Sequence, residues 1–349
     1  MNFSYYNPVD IRFNVSYIDI LKDIDFKNAL IVTSKGFTKR GLTKTMQDIF
    51  KNKIGCIFDE ISPNPELSFL QNIKKDLPNF NCIIAIGGGS VLDSAKFFSL
   101  KNEIMAKNGA LEIIGNVESK SIYALPTTAG TSSELTKWAT IWDKDSNIKY
   151  SLNHNLLYSK MAIYDINLMQ SIPKDITIST GLDVLSHAVE SIWNNNANPI
   201  STNNAIKAID LILQNLTPLS HNLDSRYLRR NLALACVYAG LAFSNTQTAL
   251  AHAISYPITM RFGIPHGIAC SFSIPLLLEC IPKGESYSLL LKYKNEIKNL
   301  FYNLKISLDL KDYGLDSKFV NEIFDNLNQR AKNSIFDINF VRERFLENI

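Results

Sequence analysis

The first half of the chain alternates short, mostly apolar runs with amphipathic ones. NALIVTS (28–34), KIGCIFDEI (53–61), NCIIAIGGGS (81–90) and SIYALPTT (121–128) are β-rich and bounded by turn residues, which predicts buried strands. Between them, ELSFLQNIKKDL (66–77) and SVLDSAKFFSL (90–100) carry apolar residues at helical spacing. Strands alternating with helices of this length predict βαβ units and a mostly parallel sheet. From Pro173 the texture changes. STNNAIKAIDLILQNL, RRNLALACVYAGLAFSN and SFSIPLLLECI are helical or continuously apolar with few strand signals, so the second half is predicted to be all-helical. The boundary falls between Ser171 and Lys174, which gives domains 1–171 and 172–349. The C-terminal stretch from about residue 290, rich in Lys and Asn, specifies little.

Composition narrows the classes. A chain of 349 residues, 46% hydrophobic and 20% charged, can bury a large core and has the length of about two domains. The formal charge of +3 is small against 36 basic and 33 acidic groups, and no long Lys/Arg run marks a nucleic-acid footprint, so no nucleic-acid partner is expected. The start, MNFSYYNPVDIRFN, has no basic and apolar signal regions, and no apolar run reaches about 18 residues. No membrane association and a cytoplasmic location are the expectation. The five cysteines, Cys56, Cys82, Cys236, Cys270 and Cys280, form no CxxC pair and read as ordinary buried thiols.

Two turns suit a nucleotide. CIIAIGGGSVLDSAK runs from a strand into Gly87, Gly88, Gly89 and Ser90 and then into a helix. Glycines allow close backbone approach, and N–H groups at the helix start suit a pyrophosphate. It is not a GxGxxG fingerprint, and a tight structural turn is the competing reading. PTTAGTSSELT (126–136) follows another predicted strand and offers the hydroxyls of Thr127, Thr128 and Thr131 around Gly130.

The five histidines are His154, His187, His221, His252 and His266. His154 and His221 stand in polar contexts and read as exposed loop residues. The other three lie in apolar, helix-like surroundings, where an unpartnered imidazole is costly. Each alone reads as a satisfied core or surface residue. Together with Asp183, four residues before His187 in GLDVLSHAVE and so on one helix face with it, they make a four-ligand set for Fe²⁺ or Zn²⁺ with room for a further ligand. Such an ion would act as a Lewis acid on a carbonyl or alkoxide oxygen.

GGGSVLDSAK, PTTAGTSSELT, GLDVLSHAVE and the AHAISYP…IPHG pair stand in the order and spacing of the iron-containing, or group III, alcohol dehydrogenases. The chain resembles that family over about residues 25–280. The resemblance implies an α/β N-terminal Rossmann-like nucleotide-binding domain and an all-α C-terminal metal-binding domain, the dehydroquinate synthase-like/iron alcohol dehydrogenase fold. By motif position it implies Asp183, His187, His252 and His266 as metal ligands. It likewise implies Gly88, Gly89, Ser90, Thr127, Thr128, Thr131, Lys149, Asn64 and Leu168 as cofactor contacts.

Two positions depart from the family pattern. Where many members carry a second histidine one turn after the ligand matched by His252, this chain has Tyr256, either a catalytic proton relay or a pocket wall. Where NAD-preferring members often end the second strand on Asp, it has Ser34, followed by Lys35, Lys39 and Arg40, a change that favours a 2′-phosphate. The cofactor expected is therefore NADPH or NADH, the competing reading being solvated cations at a helix start.

KWATIWD (137–143), IKYSL (148–152), SIWNNNANPIS (191–201), LAFSNTQTALAHAISYPIT (241–259) and IPHGIACSFSIP (264–275) bring the likeness closer to the phosphonoacetaldehyde reductases. That likeness implies reduction of a small aldehyde to a primary alcohol, phosphonoacetaldehyde to 2-hydroxyethylphosphonate. A dianionic substrate needs cations, for which Lys137 and Arg261 are the substrate-binding candidates. Arg261 reads equally as a surface arginine beyond a helix that stops near Pro257. Trp138, Trp142 and Trp193 read as pocket lining or as core. The alternatives are a general short-chain alcohol dehydrogenase of the family, a dehydroquinate synthase-like or glycerol dehydrogenase-like enzyme, or a nucleotide-binding scaffold without turnover. Oligomeric state is open, a homodimer being one answer.

Overall fold

β-branched and aliphatic runs form ten strands in the computed structural model, which describes residues 2–107, 110–144, 146 and 148–349. They are β1 Asp10–Phe13, β2 Ala29–Val32, β3 Ile54–Phe58, β4 Cys82–Gly87, β5 Ile104–Lys107, β6 Ala110–Ile113, β7 Ser121–Pro126, β8 Trp138–Asp143, β9 Ile148–Asn153 and β10 Met161–Tyr164. Six of them form one all-parallel sheet in the order β1-β10-β7-β4-β2-β3. β5 with β6 and β8 with β9 are antiparallel pairs. The apolar runs are continuous because both sheet faces are covered. Leu30, Val32, Ile83, Ala85, Ile122 and Ala124 enter one core, while Ala29, Ile31, Ile84, Ile86, Tyr123 and Leu125 enter the other.

Chain order reverses between β2 and β4. β3 lies outside β2, whereas β7, β10 and β1 succeed one another beyond β4. In open parallel sheets the carboxyl ends of the strands at such a reversal are where nucleotides bind. Ser34 follows β2, the Gly88–Ser90 turn follows β4, and Thr127 and Thr128 follow β7. This α/β unit comprises Asn7–Thr128 and Ser132–Met169.

The second compact unit comprises Gln170–Ile349 with Ala129–Thr131 and the N-terminal segment through Tyr6. It is helical. Helices Lys174–Ile192, Pro199–His221, Arg226–Thr246 and Leu250–Phe262 build its centre. Gly181 permits close packing, since a Cβ there would lie 2.6 Å from Leu216. Asn198 opens the second helix with a capping box with Ser201. The C-terminal stretch, uninformative as sequence, contributes Phe301, Phe319, Val341 and Phe345 to the same core. Trp193 is fully buried there, edge-on to Phe336 at 5.2 Å, and so is core rather than pocket lining. Trp142 is buried in the other unit. Among the described residues no helix is long and apolar enough to cross a membrane.

Leu250–Phe262 does not stop near Pro257. The proline removes one backbone donor, but Ile254 and Ile258 remain buried in the core on either side and the helix continues to Phe262. Arg261 therefore sits in the last helical turn.

Candidate metal centre and nucleotide turn

Every residue of Lys174–Ile192 from Gly181 onward is buried. A helix so enclosed carries polar side chains only where partners meet them. Asp183, His187 and Glu190 follow at i, i+4 and i+7, on one face. Leu250–Phe262 brings His252 to that face. His266 begins the short helix His266–Ala269, pressed against the first helix because Gly267 has no side chain: a Cβ there would come within 1.7 Å of Ser179 O. Ser186 Oγ donates to Cys270 O at 2.8 Å and closes the joint.

The outcome is convergence on one carboxylate oxygen. Asp183 Oδ1 lies 3.4 Å from His252 Nε2, 3.7 Å from His187 Nε2 and 3.9 Å from His266 Nε2. Ligand atoms about 2.1 Å from a shared tetrahedral centre stand about 3.4 Å apart, so this spacing fits a divalent ion. The hydrogen bonding agrees. His252 Nε2, which faces Asp183, is buried without a hydrogen-bond partner among the described residues. His187 Nδ1 is unpartnered too but is not the ring nitrogen nearest Asp183, and His187 falls outside the group of Asp183, His252, His266 and Cys270 whose ligand atoms all lie within 4.8 Å of one another. His266 keeps 35% side-chain exposure, which leaves the cluster an open side. Phe243 stacks on His187 at 4.0 Å, and His187 stacks on His252 at 4.6 Å, fixing both rings.

Three further residues at this centre escaped the sequence reading. Glu190, fully buried, meets His252 Nδ1 at 2.6 Å through Oε2 and accepts the N–H groups of Ala249 and His252, each at 3.0 Å. Burial would raise its carboxyl, but the His252 ring and these donors outweigh burial and hold it below the ordinary carboxylate range. A carboxylate on Nδ1 leaves Nε2 as the basic, metal-facing nitrogen. Its sequence signal was the last residue of GLDVLSHAVE, a carboxylate one turn after His187 in an apolar helix. Cys270 is not an ordinary buried thiol: its Sγ lies 3.4 Å from Asp183 Oδ1, and its ligand atom lies within 4.8 Å of those of Asp183, His252 and His266. The third residue is Arg330, whose Nη1 donates to Tyr256 Oη at 2.9 Å and to Thr248 Oγ1 at 3.0 Å.

Tyr256 is half-buried and lies parallel to the His266 ring, 6.0 Å between centroids. Burial raises its phenol above the ordinary value more than the Arg330 guanidinium lowers it. Arg261 is 54% exposed, pairs with Glu322 at 3.4 Å and covers the Phe319 ring, so the cation that meets Tyr256 is Arg330 rather than Arg261. Lys137 donates to Asn155 Oδ1 at 3.1 Å. His154 is half-buried and caps the turn Asn155–Leu157 through Nδ1, and His221 is exposed at a helix end.

The nucleotide side lies in the α/β unit. Gly88 stands before the helix Gly89–Ser99, and a Cβ on it would meet Thr128 Oγ1 at 3.0 Å, so the absent side chain keeps this turn open. Asn64, at φ 58°, donates its N–H to Ser90 Oγ at 3.2 Å, joining two of the expected contacts. Thr127 is buried beside Gly87, while Thr131 is exposed. Lys149 Nζ lies over the Trp142 ring at 5.4 Å, and Leu168 packs on the core under the sheet. At Ser34 the expected excess of positive charge is reduced, because Ser34 bridges to Glu60 and Lys35 Nζ pairs with Glu60 at 3.1 Å.

Behind the turn lies a buried polar network. Lys96 Nζ donates to Trp138 O at 2.5 Å, Ser133 O at 2.6 Å and Thr136 Oγ1 at 3.1 Å. Asp93 accepts from Ser133 Oγ at 2.6 Å and Thr140 N at 2.9 Å, and Tyr164 donates to Glu134 at 2.5 Å. These bonds tie the glycine-turn helix to the hydroxyl segment. Burial pulls the Lys96 ammonium down to about 8 against the pull of Asp93 and Glu134.

A turn suited to a pyrophosphate and a candidate metal centre in one chain are the parts that a metal-dependent, nicotinamide-linked oxidoreductase uses. The sequence model of the iron-containing alcohol dehydrogenases matches residues 12–166, the C-terminal model of the Fe-containing family matches 177–285, and the chain belongs to this family. Alcohol dehydrogenase 4 of Saccharomyces cerevisiae is 31% identical over 273 residues, 75% of this chain and 70% of the yeast protein. The sulfoacetaldehyde reductase of Bifidobacterium kashiwanohense in complex with NAD+ superposes with a TM-score of 0.89 at 25% identity, covering 100% of this chain and 99% of that one. A 1,3-propanediol oxidoreductase shares the fold at a TM-score of 0.86 and 24% identity, covering 100% of each chain. The family uses NAD(H) and a divalent metal, typically iron.

Proposed function

We propose that the protein reduces a small aldehyde to a primary alcohol, with phosphonoacetaldehyde, giving 2-hydroxyethylphosphonate, as its best substrate. The observation that carries the reaction type is the convergence of three imidazoles on Asp183 Oδ1, with His252 Nε2 buried and unpartnered there among the described residues. Support for the substrate comes from the segments KWATIWD, SIWNNNANPIS and IPHGIACSFSIP, and from the likeness to a sulfoacetaldehyde reductase. The aldehyde in that name has the same two-carbon skeleton with an anionic tail.

Asp183, His187, His252 and His266 hold the ion, iron or zinc, and Gly88, Gly89, Ser90, Thr127, Thr128 and Asn64 line the nucleotide turn. When bound, the ion supplies Lewis acidity toward a carbonyl oxygen and the nicotinamide supplies hydride. Glu190 fixes the tautomer of His252. Tyr256, its phenol raised and so protonated at neutral pH, is the proton donor at Oη for the product alcohol. NADPH and NADH are both accepted in this reading, since Lys39 and Arg40 suit a 2′-phosphate while Glu60 stands beside Lys35.

A steady-state comparison of phosphonoacetaldehyde with propanal on the iron-loaded enzyme, with each nucleotide in parallel, tests the proposal. The expected result is a kcat/KM at least about tenfold higher for phosphonoacetaldehyde, the worth of one charge-assisted contact. A preference for propanal removes the substrate assignment and leaves a general short-chain dehydrogenase.

A further inference from the structure

The short turn Gln329–Asn333 carries Arg330 and is pinned along its length. Asn328 Oδ1 caps it by accepting Arg330 N at 2.9 Å. Asn195 N donates to Asn333 O at 2.7 Å, and Asn195 Nδ2 to Lys332 O and Ser334 O, each at 3.0 Å. Asn333 Nδ2 donates to Thr248 O at 3.0 Å. Asn195 of SIWNNNANPIS is thus a clamp on the turn that carries the guanidinium, while its neighbours Asn194 and Asn196 donate to Gln247 O and Thr246 O. A side chain so anchored has already lost the freedom that an exposed arginine would surrender on binding a ligand.

The clamp aims Arg330 at the metal centre. Its guanidinium lies 6.0 Å from the centroid of the Tyr256 ring, and the His266 ring lies 6.0 Å from that same centroid. Thr248, which also accepts from Arg330, stands four residues before His252, ahead of the helix Leu250–Phe262. Tyr256 Oη and Thr248 Oγ1 are neutral hydroxyls, which an oxoanion outbids as partners for guanidinium N–H groups. Arg330 also lies beyond residues 177–285, the stretch matched by the family's C-terminal model.

We infer that Arg330 is the specificity-determining residue of this enzyme. Its planar fork receives the terminal oxoanion, sulfonate or phosphonate, of a two-carbon aldehyde whose carbonyl is directed at the Asp183 cluster. The inference rests on the aldehyde reductase reading above and deepens it.

The test uses the iron-loaded full chain as wild type, Arg330→Met and Arg330→Lys. The readout is the ratio of kcat/KM for phosphonoacetaldehyde, and separately for sulfoacetaldehyde, to that for propanal. In Arg330→Met each ratio is expected to fall about 100-fold, as for loss of a charge-assisted pair. In Arg330→Lys, which keeps the charge and loses the fork, the fall is about tenfold, and this variant carries the comparison if the methionine variant does not fold. A larger fall for phosphonate than for sulfonate identifies the dianion as the preferred tail, and the reverse identifies the monoanion. Ratios that stay within threefold of wild type in both variants overturn the inference and leave Arg330 as a support for Tyr256. Calorimetric titration of the holoenzyme with ethylphosphonate and ethanesulfonate, which have no carbonyl, keeps the two readings apart. Should wild type prefer propanal, the substrate assignment fails, while Arg330-dependent binding of either anion sustains the anchor. Absence of binding by wild type, or binding unchanged in Arg330→Met, refutes it.

Discussion

Each unit of this protein buries a cluster of charged and polar side chains, and the two clusters are finished differently. In the α/β unit, Lys96, Asp93 and Glu134 are matched to hydroxyls, carbonyls and an N–H. In the helical unit, Asp183 and three imidazoles face one another at 3.4 to 3.9 Å, with the inward-facing His252 Nε2 buried and unpartnered among the described residues. Leaving such groups unpaired costs about 1–3 kcal/mol each, a cost a protein sustains where a ligand relieves it. A completed buried network holds a shape, and an uncompleted one holds a place.

The sharpest way to break that contrast is His187→Phe. A phenyl ring fills the slot against Phe243 without an orphaned nitrogen, so the metal-free variant should unfold no earlier than the metal-free wild type. Bound iron should be lost and turnover should drop about 10³-fold, the worth of a lost Lewis acid. A metal-replete variant, measured by elemental analysis, would remove His187 from the ligand set.

Lys96→Met probes the completed network. Removing the ammonium leaves the buried Ser133 O and Trp138 O without their side-chain donor and takes the neighbouring cation away from Asp93 and Glu134, so urea unfolding should register a loss of about 3–5 kcal/mol with metal content per folded chain unchanged. A loss below about 1 kcal/mol would mean that the network is no more than incidental.

The smallest effect belongs to Glu190→Gln. The amide keeps the volume but no longer fixes the His252 tautomer, and iron affinity by competition with a chelator should weaken about 10- to 100-fold while the fold persists. Unaltered affinity would limit Glu190 to capping the two N–H groups of Ala249 and His252.

How much of this was legible in the sequence follows from the range of the interactions. Asp183 and His187 stood out because a helix without a wet face has no ordinary use for them. The glycine turn stood out because a strand led straight into it. Glu190, in the same helical segment, carries no such signal by itself, since a carboxylate on a helix is commonly solvated and its partner, His252, arrives from another helix. β1 and β10, at one side of the sheet, are four residues each, and the two antiparallel pairs are partly exposed, without the continuous apolar run that marked β2, β4 and β7. Arg330 was unreadable for a further reason. Its place is set by backbone bonds to an asparagine turn far back in the chain, and no local pattern encodes that. Arg261, nearer the motifs in sequence, stays at the helix end that a buried Ile258 carried past Pro257.

One consequence of the Asp183–His266 joint concerns the life of the protein rather than its chemistry. An ion held there ties the helix Lys174–Ile192 to a segment that follows three helices later, and so acts as a reversible cross-link across most of the helical core. Anything that binds only the folded chain suppresses its opening, and proteases act on the opened form. An ion bound at this joint would therefore slow proteolysis of the chain, and the metal-free form would be the more readily cut of the two.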